Sequence, residues 1–459
     1  MLYISPSVMT THRFDHALLA DGWHRDVAVT VADDGTIASV ARGARPEDAV
    51  SIAGAALPGM PNLHSHAFQR AFAGQAERAE PGRSSFWSWR SAMYRYARSI
   101  TPDDLTAIAT ELYIEMLKAG YTAVGEFHYL HHTPDGTPYL DPTAMSSALL
   151  DAAERAGIRL VLLPVLYRAS GFGATDVTAD QRRFHNRLDA FVDLLDALAR
   201  AVRDRPAATL GVALHSLRAV GPDAIGALLD HWQGAGPIHL HIAEQQREVA
   251  DCLAWCGRRP IEWLTETQPV DASWCLVHAT HATDAELAAI ARAGAVVGLC
   301  PTTEANLGDG LFPTAAFLDA GGRFGLGSDS HVSVSPIEEL RWLEYQQRLA
   351  TRRRTVLAPE DGGDRLWSAA ARGGAQALGL APAGLEPGGA ADIVVADLDG
   401  PALAGREDGA IADALVFSGN TPPFKDVMVA GRWVVRDDRH AHQEPALTAF
   451  ADVVRRHAR

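Results

Sequence analysis

His64 and His66 close the run Leu57-Pro-Gly-Met-Pro-Asn-Leu-His-Ser-His66, in which an apolar stretch ends in His-x-His. Side chains at i and i+2 of a strand point the same way, so two imidazoles placed like this can hold one cation from one side. Three further groups stand in comparable places: His241 in His-Leu-His-Ile-Ala-Glu244, His278 in Cys275-Leu-Val-His-Ala, and Asp329 in Gly-Leu-Gly-Ser-Asp-Ser-His331. Each follows an apolar, β-branched run where a strand would end. A lone histidine pair is as well explained as surface decoration. Five such groups at successive strand ends are not.

Imidazole and carboxylate are the donors that zinc and similar borderline cations accept. His64, His66, His241 and Asp329 supply three nitrogens and one oxygen for one divalent cation per chain, with zinc the expected ion. Such a cation lowers the pKa of water to near neutrality. Glu244, three residues after His241, and His278 are candidates for moving protons beside it, and Asp329 is both a ligand and a candidate base.

The elements that position these groups are legible as texture. Up to about Leu57 the chain reads as short strands and turns, with Val27 to Val31 and Ile37 to Val40 flanking the turn Ala-Asp-Asp-Gly-Thr. From Pro58, candidate strands end near His66, Glu126, Tyr167, His215, His241, His278, Pro301 and Asp329. Amphipathic stretches lie between them, such as Asp103 to Ala119, Asp180 to Arg203, Asp284 to Ala293 and Ile337 to Leu349. Eight strands separated by helices predict an α/β fold, a TIM-like (β/α)8 barrel over residues 58–379, whose active site forms at the carboxyl ends of the strands. After about Leu380 the strand-and-turn texture returns, in Ala391-Asp-Ile-Val-Val-Ala-Asp-Leu and in a hairpin around Ala-Gly-Arg432. Residues 1–57 and 380–459 are therefore expected to build one small β-sandwich domain, linked through the Pro-Gly-rich stretch Ala381 to Ala391.

A chain of 459 residues with 47% hydrophobic and 21% charged residues can bury a sizeable core. Its net charge of −15 disfavours nucleic acid, which asks for clustered basic residues. The four cysteines, Cys252, Cys256, Cys275 and Cys300, show neither a metal spacing nor a disulfide framework and read as reduced thiols. No basic segment followed by an apolar core begins the chain, and no apolar run reaches the length of a membrane span. A cytoplasmic protein that binds no membrane is expected.

His-x-His, the later His241, His278 and an Asp after the eighth strand together resemble the amidohydrolase superfamily, over nearly the whole chain. Many of its binuclear members bridge two metals with a carbamylated lysine at the end of strand four. Here that strand reads Leu210-Gly-Val-Ala-Leu-His-Ser-Leu-Arg218, and Lys118 and Lys425 are the only lysines in the chain. The pattern is similar to the mononuclear deaminase branch, which attacks an amidine-like carbon and releases ammonia. Around the metal set, Gln69 after His66, Arg90 in the long loop after strand one, Tyr129 after strand two, and His215 with Arg218 at strand four resemble the deiminases of N-formimino-L-glutamate, which act in histidine degradation. The resemblance implies a small dicarboxylate amidine as substrate, and a homodimer.

The chemistry fits that implication. Two arginines can each grip one carboxylate through paired donors, and Gln69, Tyr129 and His215 can add single hydrogen bonds. Taken singly, most arginines of this chain read as solvated surface charges, with Arg218 set apart by its place directly after a strand, and Tyr129 reads equally as a packed loop aromatic. His128, His131 and His132 read as local loop histidines, and His331 stays open. Two rivals remain: a deaminase of a heterocycle such as guanine, cytosine or adenosine, and a metal-free assembly protein on the same fold. Ammonia release from a substrate panel separates the first, and metal analysis the second.

Overall fold

In the computed structural model, which describes residues 9–77, 86–360, 362–420 and 423–457, two sheets organise the chain. Strands β1 (Thr10–Leu19), β2 (Gly22–Val31), β3 (Ile37–Ala41) and β4 (Val50–Pro58) come from the amino-terminal end. The barrel strands are β5 (Met60–Ser65), β6 (Tyr121–His128), β7 (Arg159–Leu166), β8 (Ala208–Leu210), β9 (Val212–Ser216), β10 (Ile238–Ile242), β11 (Trp274–His278), β12 (Val296–Leu299) and β13 (Arg323–Leu326). Strands β14 (Ile393–Ala396), β15 (Phe424–Val429), β16 (Arg432–Arg436) and β17 (Arg439–His440) follow.

The barrel strands pair in the order β6-β5-β13-β12-β11-β10-β9-β7, and β7 returns to β6, so the sheet closes. Every pairing in it is parallel. Short β8 and β9 lie along the same strand, β7, and together occupy the fourth position. Buried almost throughout, β7, β11 and β12 read as nearly continuous apolar runs. Leu63 fills the interior: a Cβ on Gly298 or Gly325 would come within 2.7 and 2.6 Å of its methyl groups, so neither position has room for a side chain.

The expected strand ends match the barrel, and helices separate the strands. Pro102–Ala119 begins at Thr101, whose hydroxyl accepts the Asp104 N–H, and ends at Gly120 with φ 106°. Asp284–Ala293 and Pro336–Thr351 lie where the amphipathic pattern places them. The stretch Asp180 to Arg203 does not: its helix runs Leu188–Arg203. Residues 180–187 instead wrap Arg183, whose buried guanidinium donates to the carbonyls of Ala97, Ile100 and His132.

The second sheet is continuous, in the order β17-β16-β15-β14-β4-β1-β2-β3, and joins both ends of the chain. Phe14, Val27, Val29, Ile52, Ile393, Val395 and Met428 form its own apolar core. Ala430 and Gly431, at φ 45° and 77°, make the β15–β16 turn with the handedness a two-residue hairpin requires. The carboxyl-terminal part is not strands alone: Ile411–Phe417 and Gln443–His457 are helices. Trp367 Nε1 donates to the Pro58 carbonyl at 2.9 Å, where the second sheet hands over to the barrel.

The four cysteines are free thiols; Cys275 lies in β11, while Cys300 precedes a helix and is not part of a strand. Among the described residues no helix is long and apolar enough to cross a membrane. The first eight residues, which bear on the expectation of no leader segment, lie outside the described residues.

Candidate functional site

His64 on β5, His66 directly after it, His241 on β10, His278 at the end of β11 and Asp329 after β13 all meet at the carboxyl end of the barrel, and all are buried. The loop after β13 is tied to β5: Asp329 N donates to His64 O at 3.0 Å and His66 N to Asp329 O at 3.2 Å. His278 and Asp329 adopt φ of 70° and 45°, with neighbours Ala279 and His331 also in the left-handed region. Such backbone persists where the surroundings over-determine it, and here it turns the side chains at the strand ends toward a common centre.

The tautomers of two histidines follow from their backbone partners. His66 Nδ1 bonds to Phe127 O at 2.9 Å, and His241 Nδ1 to His215 O at 3.0 Å. A carbonyl only accepts, so both Nδ1 atoms carry the proton and both Nε2 atoms present bare lone pairs. His66 Nε2 faces Asp329 Oδ1 at 3.3 Å, and His241 Nε2 faces His64 Nε2 at 3.0 Å. His64 Nε2 lies 3.6 Å from Asp329 Oδ1. An ionised carboxylate set against a bare nitrogen lone pair repels it unless a cation lies between them. Donors about 3.3 Å apart are what four bonds of about 2.0–2.1 Å to one tetrahedral centre produce. Two trios that share His64, namely His64–His66–Asp329 and His64–His241–His278, each bring their donor atoms close enough to hold a metal ion.

Beside this set, His278 Nε2 lies 4.0 Å from Glu244 Oε1 and 3.8 Å from Asp329 Oδ2. Its Nδ1 is 3.3 Å from Glu304 Oε1. Burial disfavours the imidazolium, yet the carboxylates of Glu244, Glu304 and Asp329 push its pKa up to about 10. Burial raises the pKa of Glu244, helped by Asp329 and Glu248 and opposed by His278 and Arg218. A buried carboxyl whose pKa is raised to about 7, beside an imidazole held protonated, suits proton transfer.

A cleft of about 550 Å³, counting its open mouth, contains every one of the substrate-binding candidates: Gln69, Arg90, Tyr129, His215 and Arg218. His66, His241, Glu244, His278 and Asp329 line the same cleft. Gln69 Nε2 donates to the Tyr129 hydroxyl at 2.9 Å, so both are linked partners and not isolated packing groups. The Arg218 side chain is one-tenth exposed, and its Nε, without a hydrogen-bond partner, lies 3.9 Å from Glu248 Oε2. Arg90 lies on a helix, Phe86–Ala97, and not in an open loop; its guanidinium lies over the Tyr94 ring at 5.2 Å.

Other histidines fall outside. His131 and His132 bond to the carbonyls of Val165 and His185, and His128 is buried against His131. His331 resolves as a support: it bonds to Ser328 and Ser65 hydroxyls behind the metal-site candidates. Sequence reasoning missed Glu304, Glu126, Tyr94 and Tyr167. Glu126 accepts the Ser65 hydroxyl and the Ala67 N–H, both at 2.6 Å, clamping the His-x-His segment from behind. Glu126 and Tyr167 stood at expected strand ends, which was a usable signal; Glu304 and Tyr94 lie on helices with no pattern pointing at the site.

The sequence profile of the amidohydrolase family matches residues 55–434. The chain is 53% identical to formimidoylglutamate deiminase of Pseudomonas aeruginosa over 443 residues, 96% of this chain and 98% of that protein. A solved amidohydrolase from Brucella melitensis is 44% identical, with a TM-score of 0.93 covering 98% of this chain and 100% of the other. An adenosine deaminase from Xanthomonas campestris, solved with bound zinc, shares the fold at 22% identity, with a TM-score of 0.80 covering 98% and 97%.

Proposed function

Because this chain belongs to the amidohydrolase family, we propose that it hydrolyses the formimino group of N-formimino-L-glutamate to N-formyl-L-glutamate and ammonia, a reaction of histidine degradation. One observation carries the reading: the cleft lined by His66, His241, Asp329, Glu244 and His278 is lined also by two arginines, Arg90 and Arg218. A flat neutral heterocycle offers nothing for a second guanidinium to grip, whereas a dicarboxylate amidine employs both. The name of the Pseudomonas aeruginosa relative, over almost the full length of both chains, supports the same substrate.

His64, His66, His241 and Asp329 would hold one divalent cation, with zinc the proposed ion, suited to this donor set. Bound there, it acidifies water and polarises the C=N group. The chain's own groups do the rest. Asp329 accepts the proton of the attacking water, and its proximity to Glu244 and His278 gives that proton a path. Glu244 hydrogen-bonds the amidine nitrogens and delivers a proton to the leaving nitrogen. His278, held by Glu304, donates to the developing oxyanion at the former formimino carbon. Arg90 and Arg218 grip the carboxylates, with Gln69, Tyr129 and His215 supplying single hydrogen bonds that fix the amidine over the cluster.

The test is to incubate the metal-loaded protein with N-formimino-L-glutamate and measure ammonia together with N-formyl-L-glutamate. Stoichiometric formation of both supports the reading. Ammonia released from guanine, cytosine or adenosine, and none from N-formimino-L-glutamate, replaces it with a heterocycle deaminase.

A further inference from the structure

Two phenols line the same cleft as Arg90 and Arg218: Tyr94, on the helix Phe86–Ala97, and Tyr167, directly after β7. Both are buried, and behind them lies the fully buried Gln181. The orientation of its amide follows from the backbone. The Thr178 N–H can only donate, and it reaches Gln181 Oε1 at 2.8 Å, joined by the Thr178 hydroxyl at 3.0 Å. Nε2 is thus the donor end, and it points at the Tyr167 hydroxyl at 2.6 Å and the Tyr94 hydroxyl at 3.4 Å.

Both phenol oxygens therefore accept from Gln181, and each still owns a proton to donate. Even a bond between the two hydroxyls would consume only one proton of the two. Among the described residues no other acceptor receives the second. The nearby guanidiniums are donors too and cannot take it. A buried donor without an acceptor is costly, and here it is placed in a cleft whose cations already favour an anion.

We propose that Tyr94 and Tyr167, oriented by Gln181, are specificity-determining residues that donate a phenol proton to a substrate carboxylate alongside an arginine. The inference rests on the dicarboxylate reading above and deepens it. Gln181 acts through the tyrosines and is a positioning residue. A charge-assisted O–H···O⁻ bond is among the stronger hydrogen bonds, and a site built to make it rejects ligands that lack the acceptor, because the donor is then left unpaired.

The experiment compares the parent with Tyr94→Phe, Tyr167→Phe, the double variant and Arg218→Met. It measures kcat and KM for N-formimino-L-glutamate, and binding of N-formyl-L-glutamate by calorimetry. Phenylalanine keeps the ring, and each single variant keeps one phenol on Gln181, so the single variants carry the test if the double variant does not fold. At least one single variant should lose about tenfold to a hundredfold in kcat/KM, mostly through KM. Product binding should weaken in step and metal content stay unchanged. The loss should vanish for a formimino substrate lacking the carboxylate that the phenol serves. Both single variants within about twofold of the parent, while Arg218→Met falls, would overturn the tyrosine proposal and leave the dicarboxylate reading standing. A parent inert toward N-formimino-L-glutamate would remove both.

Discussion

Oε1 of Glu304 lies 3.3 Å from Nδ1 of His278 and also accepts the Cys300 backbone N–H at 3.0 Å. The carboxylate is thus fixed to the start of one helix and in turn fixes an imidazole from the neighbouring strand. It leaves His278 Nε2 toward Glu244 and Asp329. Glu304→Gln keeps an acceptor for both N–H groups and removes the charge. We expect kcat to fall by about tenfold or more, as part of the contribution a positioned acid–base group makes, with metal content unchanged. Steady-state kinetics with elemental analysis checks this; unaltered kcat would reduce Glu304 to a packing role.

Glu244→Gln should keep its metal and lose about 10²–10⁴-fold in kcat, the range for a proton carrier. Glu244 lies beside the cluster, 4.0 Å from His278, and none of the distances within the ligand set involves it. Loss of the metal in this variant would move Glu244 among the ligands.

Asp329→Ala removes the oxygen donor of the set and leaves the lone pair of His66 without its partner at 3.3 Å. Turnover should be abolished and bound metal per chain should fall. A variant that stays active with a full complement of metal would refute the ligand assignment.

Acid stability offers a check away from chemistry. Burial pushes the pKa of His131 down to about 3, against the favourable bond to Val165 O. Unfolded, it titrates near 6.5. Below pH 6.5 the unfolded chain binds the extra proton, so this residue's contribution is fully present above 6.5 and is lost as pH falls toward 3, at up to about 1.4 kcal/mol per pH unit. Denaturant unfolding at pH 4 to 6 should show a shallower pH slope for His131→Gln than for the parent. An identical slope would assign the acid sensitivity to other groups.

The parts of the site legible in the sequence are those that strand periodicity controls. His64 and His66 share a face because β5 alternates, and His241, His278 and Asp329 were marked by the ends of apolar runs. Local signals placed the helix Pro102–Ala119, which is framed by Thr101 and Gly120. What failed was set by tertiary contact. The run around Arg90 is rich in aromatic residues of modest helix propensity and is helical through packing, since Met93, Tyr94, Tyr96 and Ala97 are buried. Residues 180–187 carry helix-compatible composition, yet their backbone is used elsewhere: Arg183 O accepts the His131 and His132 N–H groups, and Asn186 N donates to Tyr167 O. Gln181 meets Tyr94 across 87 residues of chain, a separation that no local pattern spans.

Arg90→Met and Arg218→Met should each lower kcat/KM for N-formimino-L-glutamate by about one to two powers of ten, since a hydrogen-bonded charge contributes roughly 1.5–3 kcal/mol. Metal content should stay intact. Parent-like kinetics in both variants would dissolve the dicarboxylate pocket.

The most direct measurement is the ratio of kcat/KM for N-formimino-L-glutamate to that for an analogue lacking one carboxylate and to that for adenosine, all on the same metal-loaded preparation. The account predicts that the dicarboxylate exceeds the monocarboxylate by about one to two powers of ten and that adenosine is not turned over. Equal rates for the two formimino substrates, or turnover of adenosine in preference to them, would contradict it.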